Sequence, residues 1–137
     1  MTSTARNLVY IVDDDPEDRQ IILDAFLENN AGMDYVFIEN GEHLMETLHS
    51  PSENVVPTLI LLDLNMPGMV GLQVLKEIKG NKTFSHIPTI VLTTSSLNSD
   101  RKSSYAFGAN CFLTKPDSFS QLVEIANAIA RLWFIPV

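Results

Sequence analysis

The sequence predicts a doubly wound α/β domain: a five-stranded parallel sheet with five helices, packed on both of its faces. Three observations carry this. Short apolar runs alternate with longer segments whose apolar residues recur at helical spacing. The links between them are short, which favours right-handed crossovers between parallel strands. The run TLILLDL, residues 58–64, is apolar almost throughout, the pattern of a central strand covered on both sides.

The elements follow in order. LVYIV (Leu8–Val12) is rich in β-branched and aromatic residues and forms the first strand. Pro16 opens the first helix, because its missing N–H costs little in a first turn, and an aspartate before it serves as cap. Ile21, Ile22, Ala25 and Phe26 supply its apolar face, and the NNAG segment ends it. YVFIE (Tyr35–Glu39) is the second strand. Gly41–His49 is a short helix with Leu44, Met45 and Leu48 inward. Thr58–Leu64 is the third strand, and NMPGMVG is a loop of turn residues. Leu72–Lys79 places Leu72, Leu75 and Ile78 on one helical side. TIVLTT (Thr89–Thr94) is the fourth strand. A weaker helix lies within SLNSDRKSSYAFGA and stops at Gly108. NCFLT (Asn110–Thr114) is the fifth strand, and Phe119–Trp133 is the last helix.

Composition bounds the function. The 137 residues suit one domain over 1–137, with 1–6 a flexible N-terminus and 134–137 a C-terminal tail. The hydrophobic fraction of 45% is globular, not disordered. A formal charge of −8, with nine Lys and Arg in all, leaves no basic footprint for nucleic acid. The single cysteine, Cys111, fits a reducing compartment. No run approaches the roughly 20 apolar residues of a membrane span, and no signal peptide opens the chain. The expected location is cytoplasmic, with no membrane partner. The apolar end LWFIPV is expected to fold over the domain or to form a dimer contact.

In a doubly wound sheet, sites lie beyond the carboxyl ends of the strands. The polar residues at those ends are Asp13, Asp14 and Asp15 after the first strand, Asp63 after the third, Thr93 and Thr94 after the fourth, and Lys115 after the fifth. Two like charges about 4 Å apart repel by about 4 kcal/mol at an effective dielectric of ~20. One lysine does not neutralise several acids, whereas a hard divalent cation such as Mg²⁺, with carboxylate and water ligands, does. A run of aspartates before a proline is also a common solvated helix start. The coincidence of Asp63, Thr93 and Lys115 at matching strand ends favours the metal cradle.

The motifs IVDDDPEDR, LILLDLNMPGMVGL, IVLTTS and FLTKP, in this order and spacing, resemble the receiver domain of two-component response regulators over about residues 7–133. The resemblance implies a flavodoxin-like strand order of 2-1-3-4-5. It implies that Asp63 is the nucleophile and becomes the phosphoaspartate, taking its phosphoryl group from a sensor histidine kinase or a histidine phosphotransfer protein. It further implies a Mg²⁺ site at Asp13, Asp14, Asp63 and the main-chain carbonyl of Asn65, with Lys115 offsetting phosphoryl charge. Thr93 matches the switch hydroxyl and Phe112 the aromatic switch, expected to turn inward as Thr93 moves. Asp15 is left as a helix cap or solvated charge. Pro116 implies a fixed Lys115–Pro116 bond, with the isomer open. The fourth helix, fifth strand and fifth helix form the implied receiving face and a candidate homodimer surface.

The chain ends soon after the last helix, so a stand-alone regulator that docks or relays the phosphoryl group is expected. GNKTFSHIP and LTTS resemble the small regulators paired with phytochrome-type and other hybrid kinases. Two rival classes remain. A phosphatase using an aspartyl phosphate has a D-x-D nucleophile motif, but here Asp63-Leu64-Asn65 lacks the second acid. A degenerate receiver acting only as a binding module is opposed by the intact set of Asp13, Asp14, Asp63, Thr93 and Lys115.

Overall fold

A computed structural model describes residues 7–30, 32–50, 56–65 and 71–134 of the chain. The elements alternate without exception: β1 (Leu8–Val12), α1 (Pro16–Leu27), β2 (Asp34–Ile38), α2 (Gly41–His49), β3 (Leu59–Leu62), α3 (Gly71–Gly80), β4 (Thr89–Thr93), α4 (Asn98–Ala106), β5 (Cys111–Thr114) and α5 (Phe119–Trp133). The five strands pair in parallel in the order β2-β1-β3-β4-β5. Strand and helix bounds differ from the expected ones by a residue or two, as helix and strand ends commonly do. The ladder itself runs on past β3, where the Asp63 N–H donates to the Val12 carbonyl at 3.0 Å.

The period-two alternation of each strand divides the interior into two cores. Tyr10, Val12, Ile60, Leu62 and Val91 face one way and pack with Leu44 of α2 and Val74, Leu75 and Ile78 of α3. Val9, Ile11, Leu59, Leu61, Ile90 and Leu92 face the other way, onto Ile22, Ala25 and Phe26 of α1 and Leu122, Ala126 and Ile129 of α5. Burying each Leu, Ile or Phe is worth about 1.5–3 kcal/mol, so the central strands fix the register. A one-residue slip would exchange the two cores.

Local chemistry sets the helix ends. The Asp15 carboxylate caps α1 by accepting from the Glu17 N–H at 2.9 Å, with Pro16 behind it. Asn40 caps α2 through the His43 N–H, and Ser118 caps α5 through the Gln121 N–H. Lys79, near the end of α3, donates to the Ser85 and Ile87 carbonyls and to Asn110 Oδ1. Those three bonds tie α3 to the connection into β4 and to the start of β5. Gly108 follows α4 at φ +102°, the left-handed region that glycine tolerates.

α4 differs from the other helices. It buries Ser104 alone, and its N-cap position, Leu97, supplies no side-chain hydrogen bond. Its tie to the sheet edge is polar: the Phe112 N–H of β5 donates to the Tyr105 hydroxyl at 3.1 Å. At the other end of the chain Phe134 stacks on Phe26, ring centroids 6.0 Å apart. Trp133 and Phe134 of the apolar tail therefore pack back over the domain, while Leu132 is exposed. The last residues of the tail, 135–137, lie outside the described residues, as do 1–6 and the loop residues Met66, Pro67 and Gly68.

Candidate functional site

The carboxyl ends of β1, β3, β4 and β5 bring Asp13, Asp63, Thr93 and Lys115 to one edge of the sheet. Asp13 is buried at the end of β1, where its Oδ1 accepts from the Asp15 N–H at 3.0 Å. Asp14, next along the chain, is exposed. Asp63 is buried just past β3, and its Oδ1 accepts from the Asn65 N–H at 3.2 Å. Asp13, Asp14 and Asp63 each offer an oxygen within 4.8 Å of the others. An all-oxygen donor set of converging carboxylates is chemistry that suits a hard divalent cation.

Lys115 supplies the positive charge on the other flank. Its Nζ donates to Asp13 Oδ2 at 2.6 Å and to Asp18 Oδ2 at 3.2 Å, and lies 3.6 Å from Asp63 Oδ2. The electrostatics are asymmetric. Burial raises the pKa of Asp13 above the usual carboxylate range, and the hydrogen bond from Lys115 only partly opposes it. Burial by itself would lower the pKa of Lys115, but the hydrogen bond to Asp13 and the charges of Asp63 and Asp13 outweigh it and raise the value. The lysine answers three acids, whereas each acid shares one ammonium.

Thr93 is fully buried. Its hydroxyl oxygen accepts from the Asn65 side-chain amide at 3.3 Å and from the Ser95 N–H at 3.4 Å. The same amide also donates to Thr94 Oγ1 at 3.3 Å, so Asn65 spans the β3 and β4 ends. Phe112 is buried in the core that holds Val91 and Ala109. Phe112 is thus already inside while Thr93 is still bonded to Asn65, so the inward turn expected of Phe112 as Thr93 moves is not needed to bury it. The described residues contain no cis peptide bond, so Lys115–Pro116 is trans.

Three polar partners of the site were not among the expected residues. Asp18 sits in the first turn of α1, where an acid reads as complementing the helix dipole. A helical side chain leans over the turn before it, and that places Asp18 on Lys115. Arg19 donates from Nη1 to the Asp13 carbonyl at 2.8 Å and lies over the Phe37 ring, 5.5 Å from its centroid, pinning the β1–α1 turn. The Tyr105 hydroxyl, beside β5, puts a phenol next to position 112 although residue 112 itself is Phe.

Gly71 fixes the backbone under Asp63. A Cβ there would stand 2.5 Å from Leu64 Cα and 2.8 Å from the Asp63 carbonyl oxygen. Both are main-chain atoms with no room to yield. Gly71→Ala is expected to destabilise the fold by about 1–3 kcal/mol, as overpacking does. It should also displace Asp63, read by chemical denaturation together with the shift of the Asp63 amide resonance.

The chain matches the model of the response regulator receiver domain over residues 9–127. It belongs to that family. The receiver is 31% identical over 134 residues to response regulator Rcp1 of Synechocystis sp., an alignment covering 96% of this chain and 91% of the relative. Among solved structures it is similar to the phosphorylated cyanobacterial phytochrome response regulator RcpA, with TM-score 0.86, 33% identity and 94% of each chain covered. It is also similar to the Mn²⁺-bound form of Rcp1, with TM-score 0.83, 31% identity and 96% of each chain covered. The flavodoxin-like strand order agrees with the receiver fold. The acidic pocket of Asp13, Asp14 and Asp63 is consistent with divalent-metal binding. No helix among the described residues is long and apolar enough to cross a membrane.

Proposed function

We propose that this receiver is a phosphorylation-dependent signalling switch of the type associated with phytochromes, phosphorylated on Asp63 and acting by docking or by relaying its phosphoryl group. The observation that carries the reading is the meeting of Asp13, Asp63 and Lys115 within one charge cluster, from strand ends 50 or more residues apart. The donor is a sensor histidine kinase or a histidine phosphotransfer protein. The Asp63 carboxylate attacks the phosphorus, the bond to the donor's histidine nitrogen breaks, and an acyl phosphate forms. Asp13, Asp14, Asp63 and the Asn65 carbonyl would hold Mg²⁺, which when bound supplies positive charge against the phosphoryl oxygens. The Lys115 ammonium contributes the same sign from the opposite flank.

The Thr93 hydroxyl is the switch group. Leaving Asn65, it hydrogen-bonds the new phosphoryl oxygens, and the charge change at Asp63 is passed through Phe112 to α4, β5 and α5. Asn65 supports a switch over a phosphatase: its amide is already engaged with Thr93 and Thr94 and has no acid proton for a leaving group. The test is intact mass after acetyl phosphate with Mg²⁺. One phosphoryl adduct, absent when the metal is chelated, is expected. Rapid turnover of external phosphoesters in place of a stable adduct would refute the switch.

Thr94 tunes the lifetime. Its exposed side chain stands at the rim of the site, joined to Asn65, where it restricts the approach of water to the acyl phosphate. Thr94→Ala is expected to lose its phosphoryl group several-fold faster than wild type. Decay of the purified phosphorylated proteins, followed by mass, measures this, and equal rates would exclude the role.

A further inference from the structure

Lys115 is shared unevenly among its acids. A lysine ammonium carries three N–H donors. Two are used, on Asp13 Oδ2 at 2.6 Å and Asp18 Oδ2 at 3.2 Å. Asp63 Oδ2, at 3.6 Å, lies beyond hydrogen-bond range and is linked by charge alone. The resting lysine is therefore bonded on the β1 and α1 side rather than to the nucleophile. Resting on the reading of Asp63 as phosphoacceptor, we propose that Asp18 is a positioning residue, a resting anchor that holds the Lys115 ammonium toward α1 and competes for it with the phosphoryl group.

The two anchors differ in how they let go. The Asp13 side chain is 2% exposed and is also held by the Asp15 N–H. The Asp18 side chain is 39% exposed, and among the described residues its carboxylate meets no other donor. On release it returns to water. A phosphoryl group on Asp63 replaces a single negative charge with about −1.5 to −2 and draws the ammonium across. Asp18 opposes that movement with an exposed ion pair, and such pairs are weak. Its effect is thus a graded setting of the switch rather than a block.

The test uses beryllofluoride, which forms a phosphoryl-like adduct on an aspartate carboxylate. It is titrated into the full chain at saturating Mg²⁺ and followed by amide NMR. Asp18→Asn is expected to lower the half-saturating concentration about two- to fivefold, the range for loss of an exposed ion pair. Asp18→Ser should do the same. Asp18→Glu, which keeps the carboxylate, should stay at the wild-type value. So should Asp24→Asn, which removes a charge from an exposed position of the same helix. Unchanged or weaker binding in Asp18→Asn overturns the anchor, since weakening is what a structural role would give. An equal gain in Asp24→Asn also overturns it, in favour of bulk charge. Wild-type binding that Asp63→Asn abolishes, with no gain in Asp18→Asn, removes the anchor and leaves the phosphoacceptor reading intact. Wild-type binding that is absent, or that survives Asp63→Asn, overturns both.

Discussion

Asp63→Asn is expected to take up no phosphoryl group from acetyl phosphate and Mg²⁺, while folding at least as stably as wild type. The two halves have one cause. Asparagine keeps the shape and the oxygen that accepts from the Asn65 N–H, so the loop geometry survives. It lacks the carboxylate nucleophile, so no acyl phosphate forms. It also removes a buried negative charge beside the buried Asp13, a repulsion that the metal-free protein must tolerate. Intact mass reads the first half and thermal unfolding in chelator reads the second. A phosphoryl adduct of wild-type yield on Asp63→Asn would place the acceptor elsewhere, and a large loss of stability would mean that the carboxylate is needed to build the fold.

Lys115→Met should be the change at the site most damaging to stability, and it should slow phosphorylation without abolishing it. Removing one partner of a buried ion pair leaves the other charge uncompensated, at a cost of about 3–5 kcal/mol. Here the lysine side chain is 12% exposed and that of Asp13 is 2% exposed. Phosphorylation should slow by about 10²–10³, as for loss of a preorganised charge partner of the transition state. The pH dependence has a definite sign. Burial already raises the folded pKa of Asp13 above its unfolded value. The group therefore favours the fold fully below the unfolded pKa and loses that contribution as pH rises through the folded pKa. Without the lysine that folded pKa rises further, so the loss extends toward neutrality. The deficit relative to wild type should be greatest near neutral pH and should shrink on acidification. Denaturant unfolding of the two proteins in chelator, at neutral and mildly acidic pH, measures it. A deficit that grows on acidification would be incompatible with a buried acid pair.

The residues that reveal the fold in the sequence are those whose burial follows a period. Ile60 and Leu62 pack on one side of the sheet, Leu59 and Leu61 on the other, and an apolar run this short, set between helical segments, reads as a strand covered on both faces. The site is legible for a related reason. Asp13, Asp63, Thr93 and Lys115 each end a strand, and parallel strands align their carboxyl ends. Side-chain reach is not legible in the same way. Asp18 and Lys115 are separated by 97 positions, and nothing in their spacing says that a first-turn acid will lean back over a lysine. The Tyr105 hydroxyl on the Phe112 N–H is equally hidden, because it depends on the angle at which α4 meets the sheet edge. The expected strands overrun the observed ones by one residue at Asn110, before β5, and at Thr94, after β4, because a polar residue beside a strand does not show where the pairing starts or stops.

The polar make-up of α4 has a dynamic consequence. A helix that gives the interior one serine, Ser104, and grips β5 through a single phenol oxygen has little apolar area to lose when it detaches. Its opening free energy should sit well below that of α1 or α5, so its amides are expected to exchange with deuterium first among the helices. A small electrostatic event at the carboxyl end of β4, the end from which α4 departs, would then be enough to resettle it.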